Sequence, residues 1–198
     1  MKIKQEIKVI AVIVTIFICF AFVIYKKKQN DPNPIEDNNI VDKTKNYVIG
    51  DSQCLNIANN SKKAKLINQS EGENSLWKGG EKLKWLNNAV IKYPISKDVN
   101  SIIISIGTNG GFKKTDDIKN LVFNLKQKFP NAKLIAVKGS WGWGYNNKVT
   151  LDMVNSYYDI FKQNGVILIS KPIGDVENPH KNLPVYKEIG KLIDTELS

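Results

Sequence analysis

From Tyr47 onward, short apolar runs alternate with longer amphipathic segments, and this alternation restricts the chain to few folds. The run Ser101–Ile106 (SIIISI) is nearly all apolar, which is typical of a strand buried on both faces of a parallel sheet. After it, apolar residues from Ile118 to Phe129 recur at helical spacing, and Pro130 ends the helix. Strands separated by helices predict right-handed crossovers and a three-layer α/β/α sandwich.

The same patterns predict five strands in a mostly parallel sheet, with a helix after each strand. The predicted strands are Tyr47–Ile49, Ala64–Ile67, Ser101–Ile106, Lys133–Val137 and Val166–Ile169. A helix follows the turn at Ser52, and the other predicted helices are Glu81–Lys92, Thr115–Phe129, Thr150–Asn164 and Val185–Ile193.

The N-terminal part of the chain differs from the rest. Residues 9–25 form an apolar run flanked by lysines on both sides, near the short end of what spans a bilayer. The run lacks the small residues of a signal-peptide cleavage site, so we expect an uncleaved membrane anchor within residues 1–28. Residues 29–46 are polar and predict a flexible tether, and residues 47–198 form the folded domain. We expect the N-terminus inside and this domain outside the cytoplasm.

Composition excludes several function classes. The net charge is +10, but every basic residue is lysine, and nucleic-acid recognition depends strongly on arginine. We therefore expect no nucleic-acid partner. Two cysteines and one histidine cannot form a disulfide framework, a structural zinc site or a multi-histidine metal centre. No metal and no cofactor are predicted.

Polar residues follow three of the predicted strands, where parallel sheets bind ligands. Ser52 follows the first strand, Asn109 the third, and His180, the chain's single histidine, the fifth. Such a set permits acyl transfer, with Ser52 as nucleophile, His180 as base and the Asn109 amide facing the oxyanion. Glu177 or Asp175 can orient the imidazole.

These motifs resemble those of a known family. Gly-Asp-Ser at 50–52, Gly-Thr-Asn at 107–109 and Glu-Asn-Pro-His at 177–180 are similar to the blocks of SGNH (GDSL-type) hydrolases. The resemblance implies a flavodoxin-like fold and ester hydrolysis, with Ser52 as nucleophile and His180 as base. It also implies that Asn109 and a glycine donate to the oxyanion; Gly80 is preferred, with Gly79 next.

The sequence departs from the family pattern at two positions. Gly110 stands where the family usually has aspartate after Gly-x-Asn, and Glu177 replaces the usual aspartate before the histidine. Glu177 is one methylene longer than that aspartate, and a backbone carbonyl can orient His180 in its place. The usual Asp-x-x-His spacing is otherwise kept.

Other interpretations stay open. Ser52 can be a helix cap and Asn109 a turn residue, which are common roles for both. Cys54 is predicted to be a small buried residue rather than a nucleophile.

The loop after the fourth strand carries aromatic residues that bear on the substrate class. Trp141 and Trp143 predict a binding platform for a sugar ring or an acyl chain, which Trp77 can extend, or else they pack the loop onto the domain. An ester on an acetylated glycan at a cell surface is the preferred substrate, chiefly because the domain is predicted to be tethered. A lipid-directed esterase or thioesterase, and a non-catalytic binding domain, are the alternatives.

Overall fold

The computed structural model describes residues 45–110, 115–142, 149–175, 178–181 and 183–198. Its strands are β1 (Asn46–Gly50), β2 (Lys65–Leu66), β3 (Ser101–Ser105), β4 (Lys133–Val137), β5 (Ser140–Trp141), β6 (Ile167–Ile169) and β7 (Gly174–Asp175). Its α-helices are α1 (Gln53–Asn60), α2 (Leu83–Lys92), α3 (Thr115–Lys128), α4 (Leu151–Gln163) and α5 (Pro184–Glu196).

Five of these strands form one parallel sheet in the order β2-β1-β3-β4-β6. The chain adds β2 on one side of β1 and then crosses to add β3 on the other side. In doubly wound folds, this reversal opens a crevice beyond the carboxyl ends of the two central strands. The loops after β1 and β3 flank that crevice, so the strand order itself brings the segments of Ser52 and Asn109 to one place.

The central strands have side chains buried on both faces, as the apolar run at 101–106 predicts. In β3, Ile102 and Ile104 face the core beneath α2, α3 and α4, while Ile103 faces the core beneath α1 and α5. Helices therefore cover both faces of the sheet. The three-layer α/β/α architecture and the five-stranded parallel sheet are confirmed.

The strands and helices predicted for residues 47–198 are all present, with small differences at their ends. The second helix begins at Leu83 rather than Glu81, because Lys82 is extended with φ −119° and ψ 169°. The last helix is longer than predicted and begins at Pro184, where proline's fixed φ suits a first helical turn. A small parallel pair, β5 with β7, was not predicted, since strands of two residues carry no periodicity.

No helix in the described part of the chain is long and apolar enough to cross a membrane. The predicted anchor at residues 9–25 and most of the tether at 29–46 lie outside the described residues.

Candidate active site

The serine lies on a tight turn between β1 and α1. Gly50 ends β1 with φ +136°, and a Cβ there would lie 1.8 Å from the Ser105 carbonyl oxygen, so only glycine fits. Ser52 precedes the first residue of α1, is half-buried, and makes no side-chain capping hydrogen bond. Its hydroxyl is therefore not used to cap the helix, which was the alternative interpretation of this residue.

A glycine lies against the serine because residues 76–78 run beside the end of β1. The Gly50 N–H donates to the Leu76 carbonyl at 2.9 Å, and the Lys78 N–H donates to the Gly50 carbonyl at 3.0 Å. The next residue is Gly79, whose ideal Cβ position lies 3.8 Å from Ser52 Cβ. A Cβ on Gly80, the preferred oxyanion residue, would meet nothing within 4 Å. The structure thus places Gly79 next to Ser52.

Asn109 reaches the same loop from β3. A turn closed by the Gly110 N–H on the Gly107 carbonyl, at 2.9 Å, presents Asn109 at the end of the strand. Its Nδ2 donates to the Glu81 carbonyl at 3.1 Å. This side chain therefore bridges two loops instead of closing its own turn. The amide has two N–H groups, and this bond uses one of them.

His180 is exposed and lies in a short segment before α5 that docks on the serine's helix. Asn56, one helical turn after Ser52, donates from Nδ2 to the His180 carbonyl at 3.4 Å. The buried Tyr186 hydroxyl donates to the Pro179 carbonyl at 2.6 Å. These bonds hold the backbone of the histidine segment beside the first turns of α1.

The remaining predicted site residues are Glu177 and the tryptophans of the proposed binding platform. Glu177 and Trp143 lie outside the described residues. Trp141 is half-buried in β5, which follows β4 at the same edge of the sheet. Trp77 is buried in the core with its Nε1 donating to the Asn68 carbonyl at 3.0 Å, so the prediction that it extends an aromatic rim is wrong.

Beside the serine, Asp51 is fully buried. Burial raises the pKa of Asp51 to about 7, although the hydrogen bond from the Gln53 N–H and the nearby backbone N–H groups of Thr108 and Gly107 oppose that rise. Burial, and secondarily the charge on Asp51, raise the pKa of the Cys54 thiol well above its ordinary value. Cys54 is fully buried and protonated at neutral pH, so it is a core residue as predicted.

The chain is similar in fold to solved structures of other proteins. No protein-family model matches the sequence, and no curated protein matches it. A solved structure from Streptococcus pneumonia, provisionally described as a platelet activating factor, matches with a TM-score of 0.53 and 12% identity, over 78% of this chain and 84% of that one. This chain therefore shares the three-layer α/β/α fold of that structure. At this identity the similarity is one of fold.

A second structure, from Bacteroides uniformis, is provisionally described as a GDSL-like lipase. It has a TM-score of 0.44 and 14% identity, over 78% of this chain and 93% of that one. The fold assignment does not depend on this match. It rests on the first structure and on the strand order described above.

One residue of this candidate site was not predicted from the sequence. The Gly79 N–H is bound by the carboxylate of Glu71, with Oε2 at 2.9 Å. Glu71 belongs to an exposed loop eight residues earlier in the chain, and no motif or periodicity singles it out. From Gly80 an open cleft of about 370 Å³ continues along the start of α2, lined by Glu81, Lys82, Lys84, Trp85 and Asn88.

Proposed function

We propose that this protein is a serine hydrolase that cleaves carboxylic esters. The observation that carries the proposal is the placement of Ser52. It lies at the switch point of the sheet with its hydroxyl unused as a helix cap, and Gly79 lies against it. A nucleophile in this position has the N-terminus of α1 beneath it, where the backbone N–H groups favour developing negative charge.

In the proposed reaction, Ser52 Oγ attacks the ester carbonyl while His180 accepts the hydroxyl proton. The carbonyl oxygen becomes an oxyanion that accepts hydrogen bonds from the Gly79 N–H and from Asn109 Nδ2. Collapse of this intermediate expels the alcohol, which takes the proton from His180 and leaves an acyl-serine. Water then repeats the sequence and releases the acid. Glu177 is proposed to orient His180.

The two proposed oxyanion donors differ in whether an N–H group is available for the oxyanion. Asn109 keeps one N–H for the oxyanion while its other N–H bonds the Glu81 carbonyl, and this bond fixes the plane of the amide. Gly79 has a single N–H, which donates a hydrogen bond to the Glu71 carboxylate. Gly80 stays an alternative donor, because it is the adjoining residue on the same turn.

The test of this proposal is covalent labelling of Ser52. The full-length chain is treated with a fluorophosphonate and with a nitrophenyl acetate ester, and the labelled peptide is identified by mass spectrometry. We expect Ser52→Ala to abolish both labelling and turnover. Ser156→Ala, which changes an exposed serine on α4, and Cys54→Ala should retain both. Labelling and turnover that survive in Ser52→Ala would contradict the proposal and favour a non-catalytic role for the site.

For the substrate we propose an acetyl ester on a glycan. Trp141 follows β4 at the site's edge of the sheet, and Trp143 is proposed to join it as a sugar-binding platform. Turnover of nitrophenyl esters of increasing chain length distinguishes the alternatives. A steep decline beyond acetyl supports a deacetylase, whereas a preference for long chains would indicate a lipid-directed esterase or thioesterase.

We also propose that residues 9–25 anchor the protein in a membrane with the catalytic domain outside the cytoplasm. The apolar run and its flanking lysines support this proposal. Protease added to intact cells should remove residues 47–198. A soluble mature form that lacks residues 1–25 would contradict it.

A further inference from the structure

Glu71 lies at the mouth of the site, where its carboxylate holds the N–H that the proposed mechanism assigns to the oxyanion. The distance from Oε2 to the Gly79 nitrogen is 2.9 Å. The same oxygen lies 3.5 Å from the ideal Cβ position of Gly79, and Ser52 Cβ lies 3.8 Å from that position. A negative charge and the proposed nucleophile therefore flank the same glycine.

The charge on Glu71 is less compensated than that of its neighbours. Glu73 pairs with Lys92 at 3.0 Å, and Glu81 pairs with Lys78 at 2.8 Å. Within the described part of the chain, no lysine forms a salt bridge with Glu71. The pKa of Lys78 is raised mainly by its hydrogen bond to Glu81, and the charge on Glu71 adds only a smaller effect.

The single N–H of Gly79 cannot serve the carboxylate and an oxyanion at once, and two negative charges at this point repel each other. A neutral ester must displace Glu71 without offering it another partner. A substrate with a cationic group gives the carboxylate a new partner as it leaves Gly79. Glu71 is exposed, so its side chain has room to turn toward such a group.

We propose that Glu71 is a specificity-determining residue that favours esters carrying a cationic group near the acyl carbonyl. The inference rests on the proposed ester hydrolysis at Ser52. It adds to that function a charge preference, with cationic esters best, neutral esters slower and anionic esters slowest.

The test uses two esters of nearly the same shape, acetylcholine and 3,3-dimethylbutyl acetate, in which a tert-butyl group replaces the trimethylammonium. The ratio of their kcat/KM values is measured for the full-length protein, for Glu71→Gln and for Glu73→Gln. Glutamine keeps an acceptor for the Gly79 N–H but removes the charge. Glu73 is the matched control, because it is an exposed carboxylate of the same loop.

We expect the unmodified protein to prefer acetylcholine by about three- to fivefold, the size of one exposed ion pair. Glu71→Gln should bring the ratio near one and raise turnover of the neutral ester, whereas Glu73→Gln should leave the ratio unchanged. Added salt should reduce the preference of the unmodified protein and of Glu73→Gln, and should leave the ratio of Glu71→Gln near one. An unchanged ratio in Glu71→Gln, or an equal loss in Glu73→Gln, would overturn the inference.

Fluorophosphonate labelling of Ser52 separates the two proposals. If Ser52 is labelled and no charge preference is found, the role of Glu71 is wrong while ester hydrolysis stands. If Ser52 is not labelled and neither ester is cleaved, ester hydrolysis is wrong and the role of Glu71 fails with it. Melting temperatures of the variants confirm that both fold.

Discussion

Replacing Asp51 with asparagine removes a buried ionisable group next to the proposed nucleophile while keeping nearly the same shape. The carboxyl is fully buried, and its Oδ1 accepts a hydrogen bond from the Gln53 N–H at 3.0 Å, which the amide oxygen of asparagine can also accept. Burial raises the pKa of Asp51 from its ordinary value of 3.8 to about 7. The folded protein therefore holds this proton more tightly than the unfolded chain does.

The sign of the pH dependence follows from this difference. Below pH 3.8 both states are protonated and nothing is lost. As the pH rises from about 4 to about 7, the unfolded chain loses its proton while the folded protein keeps it, so the free energy of unfolding falls. Above pH 7 both states are ionised and the loss is complete. At about 1.4 kcal/mol per pKa unit, the total is on the order of 4 kcal/mol.

The assay is urea unfolding at pH 5 and pH 8, followed by circular dichroism. Between these two values the Asp51 carboxyl should cost the unmodified protein about 2–3 kcal/mol of unfolding free energy. Asp51→Asn should remove this part of the pH dependence. Asp159→Asn, which changes an exposed carboxylate on α4, should keep the pH dependence of the unmodified protein. The reasoning is refuted if Asp51→Asn and the unmodified protein lose the same free energy between the two pH values.

Three further predictions address the site and the packing of its elements. Tyr186→Phe removes the 2.6 Å hydrogen bond to the Pro179 carbonyl, just before His180, so kcat for ester hydrolysis should fall about tenfold. Tyr158→Phe, which loses a similar buried hydrogen bond away from the histidine, should keep kcat, and equal falls in kcat for both variants would contradict a positioning role. Asn109→Ala should lower kcat about 10²–10³-fold with a smaller change in KM, because it removes one oxyanion donor. A change confined to KM in steady-state kinetics would contradict that role. Gly190→Ala places a Cβ 1.9 Å from the Asn60 carbonyl oxygen at the end of α1, so the free energy of unfolding should fall by about 1–3 kcal/mol. An unchanged midpoint in urea unfolding would contradict this prediction.

Much of the fold follows from local sequence patterns. The apolar run at 101–106 predicts β3, and Lys133–Val137 is a strand with the predicted bounds, because continuous burial leaves a readable signature in composition. The resemblance to SGNH hydrolases also depends on short local motifs. Ser52 and Asn109 could be chosen from sequence because parallel strands deliver the residues that follow them to one edge of the sheet. The roles of all these site residues remain predictions: Ser52, Asn109, Gly80, His180, Glu177, Trp141 and Trp143.

Only the tertiary structure decided which groups meet at that edge. Gly79 lies next to Ser52 because residues 76–78 pair with Gly50, and a pairing between distant segments has no periodicity that a sequence can show. In the same way, Asp51 is buried beside Gly107 and Thr108 in the loop after β3. The hydrogen bond between Glu71 and Gly79 depends on the path of an exposed loop. Sequence determines which elements form, because hydrophobic periodicity is local. It does not determine these contacts, because desolvation and charge at a site come from packing between elements that are far apart in the chain.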